Sequence, residues 1–373
     1  MTGQKMTGSE PTRRRRILYL LRQYPQISQT YVKCELDHVV PDNDVLILTR
    51  KRAYSPYKNH YPHINIDTLE EAIEHGRAFK PDVIHAHYVT QLDFVHQVSK
   101  ALGVPYTVRS HSFDVMAMRW WSPRKVLQRF VGPLKDDTQR QHKLKENLKL
   151  TREDNCLGVV GFHFSRKILA RAGAPEKKLV DCWPVVNVAR FEDRSENGTG
   201  IMNTGTVLQK KKMEDFLELS KLMPDMPFTL YGMNYDIEKL RAKNEEMGAK
   251  VDFHSLVEPE DMLPEYKKHS WLVYTGDIEN PRVGWPMSVA EAQAAGVGVA
   301  MPRLRPDIID YVGKGAGVIY DHISELPSIV SQPPPQEMRE AGFEAAKKSD
   351  IRNHLHLLTD LWPAPSVEAS QAA

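Results

Sequence analysis

One pattern, run twice, constrains this chain more than any other feature. Apolar segments of strand length alternate with amphipathic segments of helix length, first from Ile17 to Val160 and again after about residue 200. The first series is Ile17–Leu21, Val45–Leu48, Val83–Ile84, Tyr106–Val108 and Cys156–Val160, with Thr30–Val40 and Leu69–Phe79 reading as helices. The second begins with Gly200–Gly205 and a helix over Met213–Leu222. It continues through Phe228–Tyr231, Val251–Phe253, Trp271–Tyr274, Val297–Met301 and Gly317–Tyr320. Short runs that are apolar on both faces fit the central strands of a parallel sheet. Their alternation with helices is the βαβ pattern of an α/β fold.

A length of 373 residues suits two domains better than one core. The polar stretch Asp193–Gly200 separates the two series and puts the junction near 186–200. The expected organisation is a disordered basic N-terminus (1–16), a first Rossmann-like unit (17–186), a second (187–345) and a C-terminal segment (346–373). The amphipathic stretch Glu337–Trp362 is long enough for a helix that crosses back to the first unit. The polar or small-residue ends, about twelve residues at the start and ten at the finish, are expected to be disordered.

A formal net charge of +2 argues against a general nucleic-acid binder, which would be more basic. No apolar run reaches the ~18 residues of a membrane span. Arg13–Arg16 followed by Ile17–Leu21 has too short an apolar region for a secretory signal and no small-residue cleavage site, so a cytoplasmic protein is expected. Cys34, Cys156 and Cys182 are odd in number and have no CxxC spacing, which favours buried thiols over disulfides or a zinc site. The basic segment 119–154, interleaved with Trp120, Trp121, Phe130 and Leu148, reads first as a solvated helical excursion. Its sharper reading is a peripheral membrane contact or an anionic-acceptor surface.

The segment richest in chemistry is Val283-Gly-Trp-Pro-Met-Ser-Val-Ala-Glu-Ala-Gln-Ala-Ala-Gly296, followed at once by a strand. Ser288 is a preferred N-cap, Val289–Ala295 a strong helix and Gly296 its terminator. Free amides at such a helix start, with the helix dipole, bind anions. Glu291 lies about one turn inside, where its carboxylate can accept hydrogen bonds from ribose hydroxyls; acidic residues are also favoured there for structural reasons. His111 falls at the end of a strand, where α/β sites are built. His85 and His87 share one face of a strand, the spacing of a metal pair, but no third ligand is evident in the sequence.

This segment resembles the signature of family 4 glycosyltransferases, roughly EGFGxxxxEAMAxGxPVVA. Gly284-Trp-Pro286 sits at the GFG and Glu291-Ala-Gln-Ala-Ala-Gly296 at the EAMAxG. Arg305-Pro-Asp-Ile-Ile309 is similar to that family's later G-I-P-E-I segment. Tyr24-Pro-Gln-Ile-Ser-Gln-Thr-Tyr31 with Glu35 resembles its FPxxSETFxxxE opening, and Pro81-Asp-Val-Ile-His-Ala-His87 its PDxIHxH strand. Pro105–Asp114 resembles PxxxTxHGxD, and Gly205–Lys212 the GRLxxKKG loop. The likeness runs in order from about 17 to 362.

The resemblance implies a GT-B fold, in which two Rossmann-like domains face each other across a cleft. It implies metal-independent transfer, with retention, of a hexose-type residue from a UDP- or GDP-linked sugar to a glycan or glycolipid acceptor. That agrees with the lack of an Asp-x-Asp motif after a strand. His111 and Asp114 become the catalytic candidates, with Asp114 either orienting the loop or contacting the sugar. Glu291, Lys211, Lys212, Gly284, Met287, Ser288, Ser28 and Thr206 become candidates for substrate binding. Val283 stands where the family has a sugar-binding glutamate, with Asp277 or Glu279 as substitutes in the same loop. Thr206 stands where it has a diphosphate-binding arginine, with Arg282 or Arg305 as substitutes. These departures leave a second reading open, a GT-B protein that has lost transfer and acts as a binding or scaffolding partner. A sugar-nucleotide epimerase shares the fold but needs further acid and base residues that the sequence does not point out.

Overall fold

The computed structural model describes residues 13–111, 114–115, 134–233, 236–254, 256–279, 284 and 286–365, with side chains of 134–140 excepted. The terminal segments expected to be disordered lie largely outside these residues. So do Trp120, Trp121 and Phe130 of the basic segment, along with Arg282 and Val283. No helix among the described residues is long and apolar enough to cross a membrane.

Two parallel sheets organise the chain. The first contains β1 (Arg15–Gln23), β2 (Asn43–Lys51), β3 (Ile64–Asn65), β4 (Val83–His87), β5 (Tyr106–Arg109), β6 (Cys156–Gly161) and β7 (Leu179–Asp181), in the order β3-β2-β1-β4-β5-β6-β7. The second contains β8 (Gly200–Thr206), β9 (Phe228–Met233), β10 (Val251–His254), β11 (His269–Val273), β12 (Gly298–Pro302) and β13 (Val318–Tyr320), in the order β10-β9-β8-β11-β12-β13. β3 and β7, two and three residues long, escaped the sequence reading because so short a run carries no period.

β1 shows why the central strands are apolar throughout. Leu18 and Leu20 pack with Leu92 and Val95 on one face of the sheet. Ile17, Tyr19 and Leu21 pack with Val32 and Leu36 of the helix Thr30–Val39 on the other. Successive side chains point to opposite faces, and helices cover both, so neither face can be polar unless its groups are paired. The same sandwich recurs around β8, with Met202 in one cluster and Ile201 in another. In each sheet the order reverses beside the first strand, at β1/β4 and at β8/β11. This is the switch point outside which doubly wound sheets bind ligands.

The end of the chain crosses back, though not as one long helix. The helix Gln336–Ala346 lies against the helix Met287–Ala294, with Gly342 over the Gln293 side chain. A 3-10 turn at Lys347–Ser349 then gives way to extended backbone at Asp350, whose carboxylate accepts from the Arg352 amide at 3.0 Å. Such a side chain competes with helical hydrogen bonding. Val186 takes the backbone pairing instead, donating to Ser349 and accepting from Ile351. Beyond it, Ile351, Leu358 and Trp362 enter the core of the first unit. In the basic segment, Leu144 and Leu148 of the helix Leu134–Lys149 are buried in that same unit, so these apolar residues face protein.

Candidate active site

The carboxyl edges of the two sheets face one cleft of about 540 Å3. Ser28, Thr30, Tyr31 and Tyr88 line it from the first unit. Thr206, Lys210, Lys211, Tyr274, Ser288 and Glu291 are among the residues lining it from the second. A smaller cavity of about 120 Å3 opens beside it against His111 and shares Tyr31, Tyr88 and Met287 with the cleft. Ser288 and His111 therefore border adjoining cavities. Ion pairs and hydrogen bonds tie the units together at the rim of the cleft. Lys33 reaches Glu260 at 3.0 Å, and the Lys58 amide donates to Glu258 at 2.9 Å.

The helix facing the cleft begins at Met287, with Pro286 rather than Ser288 at the cap position. Among the described residues no side chain caps it, so Ser288, expected to cap, sits one step inside the helix. Val289 already donates to the Pro286 carbonyl at 3.2 Å, and the two residues that carry the helix's first amides, Met287 and Ser288, both line the cleft. Glu291 lines the cleft, and its Oε2 accepts from the Tyr266 hydroxyl at 2.8 Å. Burial raises its pKa to about 7, although the Tyr266 hydrogen bond and Arg190 oppose the shift. Gly284 and Met287 line the cleft as expected.

Lys211 points its ammonium inward, with its nitrogen 5.4 Å from the centre of the Tyr274 ring and no carboxylate partner among the described residues. Burial, and then Lys210, lower its pKa to about 8. Lys212 is different: it is exposed, with φ of 43°, and does not line the cleft, where Lys210 stands instead. The inward pair is thus 210 and 211. Gly205, with φ of 131°, leaves the space Lys211 fills. The sequence signal for that role is a Gly at the end of a strand, just ahead of a lysine run.

Of the proposed substitutes for missing charges, Arg305 is held bidentately by Asp307 at 2.9 and 3.0 Å and stacks over Phe164. Asp277 and Glu279 do not line the cleft. Their backbone amides bond to the Lys210 carbonyl and to the Asp277 carboxylate.

Asp114 is fully buried and lines neither cavity. Its Oδ2 accepts from the amides of Val89 at 3.0 Å and His111 at 3.2 Å, and its Oδ1 from the Thr90 hydroxyl at 3.3 Å. It joins the loops after β4 and β5 and holds the backbone of His111, so of its two expected roles it takes the loop-orienting one and not the contact with a sugar. His87 lines neither cavity and is buried one layer behind His111.

Behind His111 lies a polar cluster inside the sheet. Glu35 is completely buried. Its Oε2 accepts from Arg109 Nε at 2.7 Å, and its Oε1 from Tyr19 at 3.0 Å and from His87 Nε2 at 3.2 Å. Burial pushes this carboxyl up, but Arg109, His85 and His87 more than offset that and hold it well below the usual carboxylate range. His85 Nε2 lies 3.1 Å from the same oxygen but off line, so Glu35 is the third metal-capable group that the sequence did not show. A resident dication does not suit the charges. Arg109 already balances Glu35, and two further positive charges would be buried without compensation.

No family model matches this chain, and no curated protein matches its sequence. Solved structures match its fold. HepE of Anabaena in complex with UDP-glucose superposes with a TM-score of 0.70 at 13% identity, covering 93% of this chain and 98% of that one. Sucrose-phosphate synthase from Thermosynechococcus elongatus gives 0.66 at 15% identity, with the same coverage. The lipopolysaccharide outer core galactosyltransferase WaaB gives 0.57 at 12%, again over 93% and 98%. The fold is GT-B.

Proposed function

We propose that the chain is a glycosyltransferase that takes a hexose-type residue from a nucleoside diphosphate sugar and passes it to a hydroxyl of a glycan or glycolipid. The observation that carries this reading is that two anion-seeking groups line one cleft. These are the Lys211 ammonium and the uncapped start of the helix Met287–Ala294, with Glu291 one turn further in. A diphosphate suits the first two, a ribose the third, and the cavity against His111 adjoins them where a sugar would lie.

In this reading 187–345 holds the nucleotide and 17–186 the acceptor. As the bond from the anomeric carbon to the diphosphate breaks and a bond to the acceptor oxygen forms, charge gathers on the diphosphate. Lys211 and the helix amides stabilise it there, with no metal in the scheme. HepE and WaaB support the reading by analogy of fold, and HepE makes UDP the first nucleotide to try. Retention at the anomeric carbon follows from the family resemblance alone.

The test is thermal shift and calorimetry against UDP, GDP and ADP and their sugars, followed by donor hydrolysis and transfer with product anomers read by NMR. Tight binding of one nucleotide sugar, weakened in Lys211→Ala, is the expected result. No binding across the set overturns the reading. Binding with neither hydrolysis nor transfer favours the scaffold.

A further inference from the structure

Three side chains form a hydrogen-bonded line from the sheet interior to the cavity. Glu35 Oε1 meets His87 Nε2 at 3.2 Å, and His87 Nδ1 meets His111 Nε2 at 3.0 Å. The two imidazole planes lie within 13° of parallel. All three residues are buried, and His111 lines the cavity with Tyr31 and Tyr88, whose rings lie 4.4 and 4.7 Å from its own. Nδ1 of His111 has no hydrogen-bond partner among the described residues.

The direction of these bonds follows from the charges. Glu35 is a carboxylate, which only accepts. Arg109 matches its charge, so a protonated His87 would set a second buried cation against a carboxylate that is already balanced. Neutral His87 therefore donates from Nε2 to Glu35 and keeps a lone pair on Nδ1. His111 must donate to that lone pair from Nε2, which leaves its own lone pair on Nδ1. Burial, then His87 and Arg109, hold the His111 pKa well below its ordinary value, which keeps the ring neutral.

We propose that Glu35 and His87 are positioning residues that fix His111 in the Nε2–H tautomer, so that it meets the ligand as a hydrogen-bond acceptor. The group seated against it is then a donor, a hydroxyl or an amine. A phosphate oxygen, which only accepts, is turned away from this cavity and left to Lys211 and the helix start. That polarity orients a ligand carrying both kinds of group. The ligand's identity as a sugar nucleotide rests on the function proposed above; the tautomer does not.

The experiment is long-range proton–nitrogen NMR on the full chain labelled at histidine, with His111 assigned by its loss in His111→Asn. The wild-type protein should show His111 as the Nε2–H form. His87→Phe removes the acceptor and should give a mixture of tautomers. Glu35→Gln places an amide donor against His87 and should invert both rings, putting the proton on His111 Nδ1. Its loss of the Arg109 counter-charge threatens folding, so the wild-type spectrum and His87→Phe carry the test if it fails to fold. An Nδ1–H or charged His111 in the wild type overturns the proposal, and so does a tautomer unchanged in His87→Phe. In folded Glu35→Gln, affinity for UDP alone should hold while affinity for UDP-glucose falls about tenfold, the worth of one hydrogen bond. If the wild type binds neither ligand, the proposed function fails and the tautomer result still stands.

Discussion

Lys211 folds back over the α-carbon of Gly205, so that a β-carbon at position 205 would collide with the lysine ammonium. Gly205 also has φ of 131°, which side-chain-bearing residues rarely adopt. Gly205→Ala is therefore expected to displace Lys211 and to weaken diphosphate binding nearly as much as Lys211→Ala. That loss is about 10–100 fold, the worth of one charge-assisted hydrogen bond. Calorimetry with UDP on both variants measures it, and full affinity in Gly205→Ala would separate the two residues.

The Lys211 pKa of about 8 gives binding a pH dependence. Below pH 8 the ammonium is charged and ready for an anion. As pH rises through 8 it loses its proton in the free protein, and a bound diphosphate must restore it. Affinity is expected to fall from pH 8 upward with uptake of one proton on binding. Calorimetry in buffers of different ionisation enthalpy shows this, and Lys211→Met should abolish the dependence.

Glu291 gives the stability of the free protein a pH dependence of its own. Its folded pKa, about 7, lies above the ordinary 4.5, so the folded state holds the proton more tightly. Its contribution to stability is full below about pH 4.5 and is lost as pH rises through 7. Urea midpoints of the free protein should drop over that window, and less so in Glu291→Gln. The same group should matter for the nucleotide: Glu291→Ala is expected to weaken nucleotide binding by about 10–100 fold.

His111→Ala is expected to lower turnover while leaving affinity for free nucleotide nearly intact, because His111 borders the adjoining cavity and not the Lys211 end of the cleft. Single-turnover kinetics beside calorimetry make the comparison. An equal loss in both would place His111 at the nucleotide.

Trp362 ties the end of the chain to the first unit. Its indole donates to Thr107 Oγ1 at 3.0 Å, and the same oxygen meets His85 Nδ1 at 2.8 Å. The ring is 4% exposed. Trp362→Ala should cost about 3–5 kcal/mol, as for other buried aromatic truncations, read from denaturant unfolding.

The alternation of apolar and amphipathic segments was enough to specify the architecture. Strands such as Ile17–Leu21 and Val83–Ile84 are apolar at every position, and that is possible only where helices cover both faces of a sheet. The sequence also marked the ends of β5 and β8 and the helix of Glu291, because turn, cap and helix residues act locally. Contacts between residues far apart in the chain were decided only by the tertiary structure. Glu35 meets Arg109 across 74 positions, and that pairing takes His87 out of a metal-like motif and into a hydrogen-bonded line that ends at His111. Asp114 looked like chemistry and became a joint between loops, because the amides it binds lie as far away as Val89. Lys212 differs from Lys211 only by a backbone turn that sends one ammonium to solvent and the other into the cleft. Local patterns set where strands and helices form, but the direction and partners of a buried charge depend on everything packed around it.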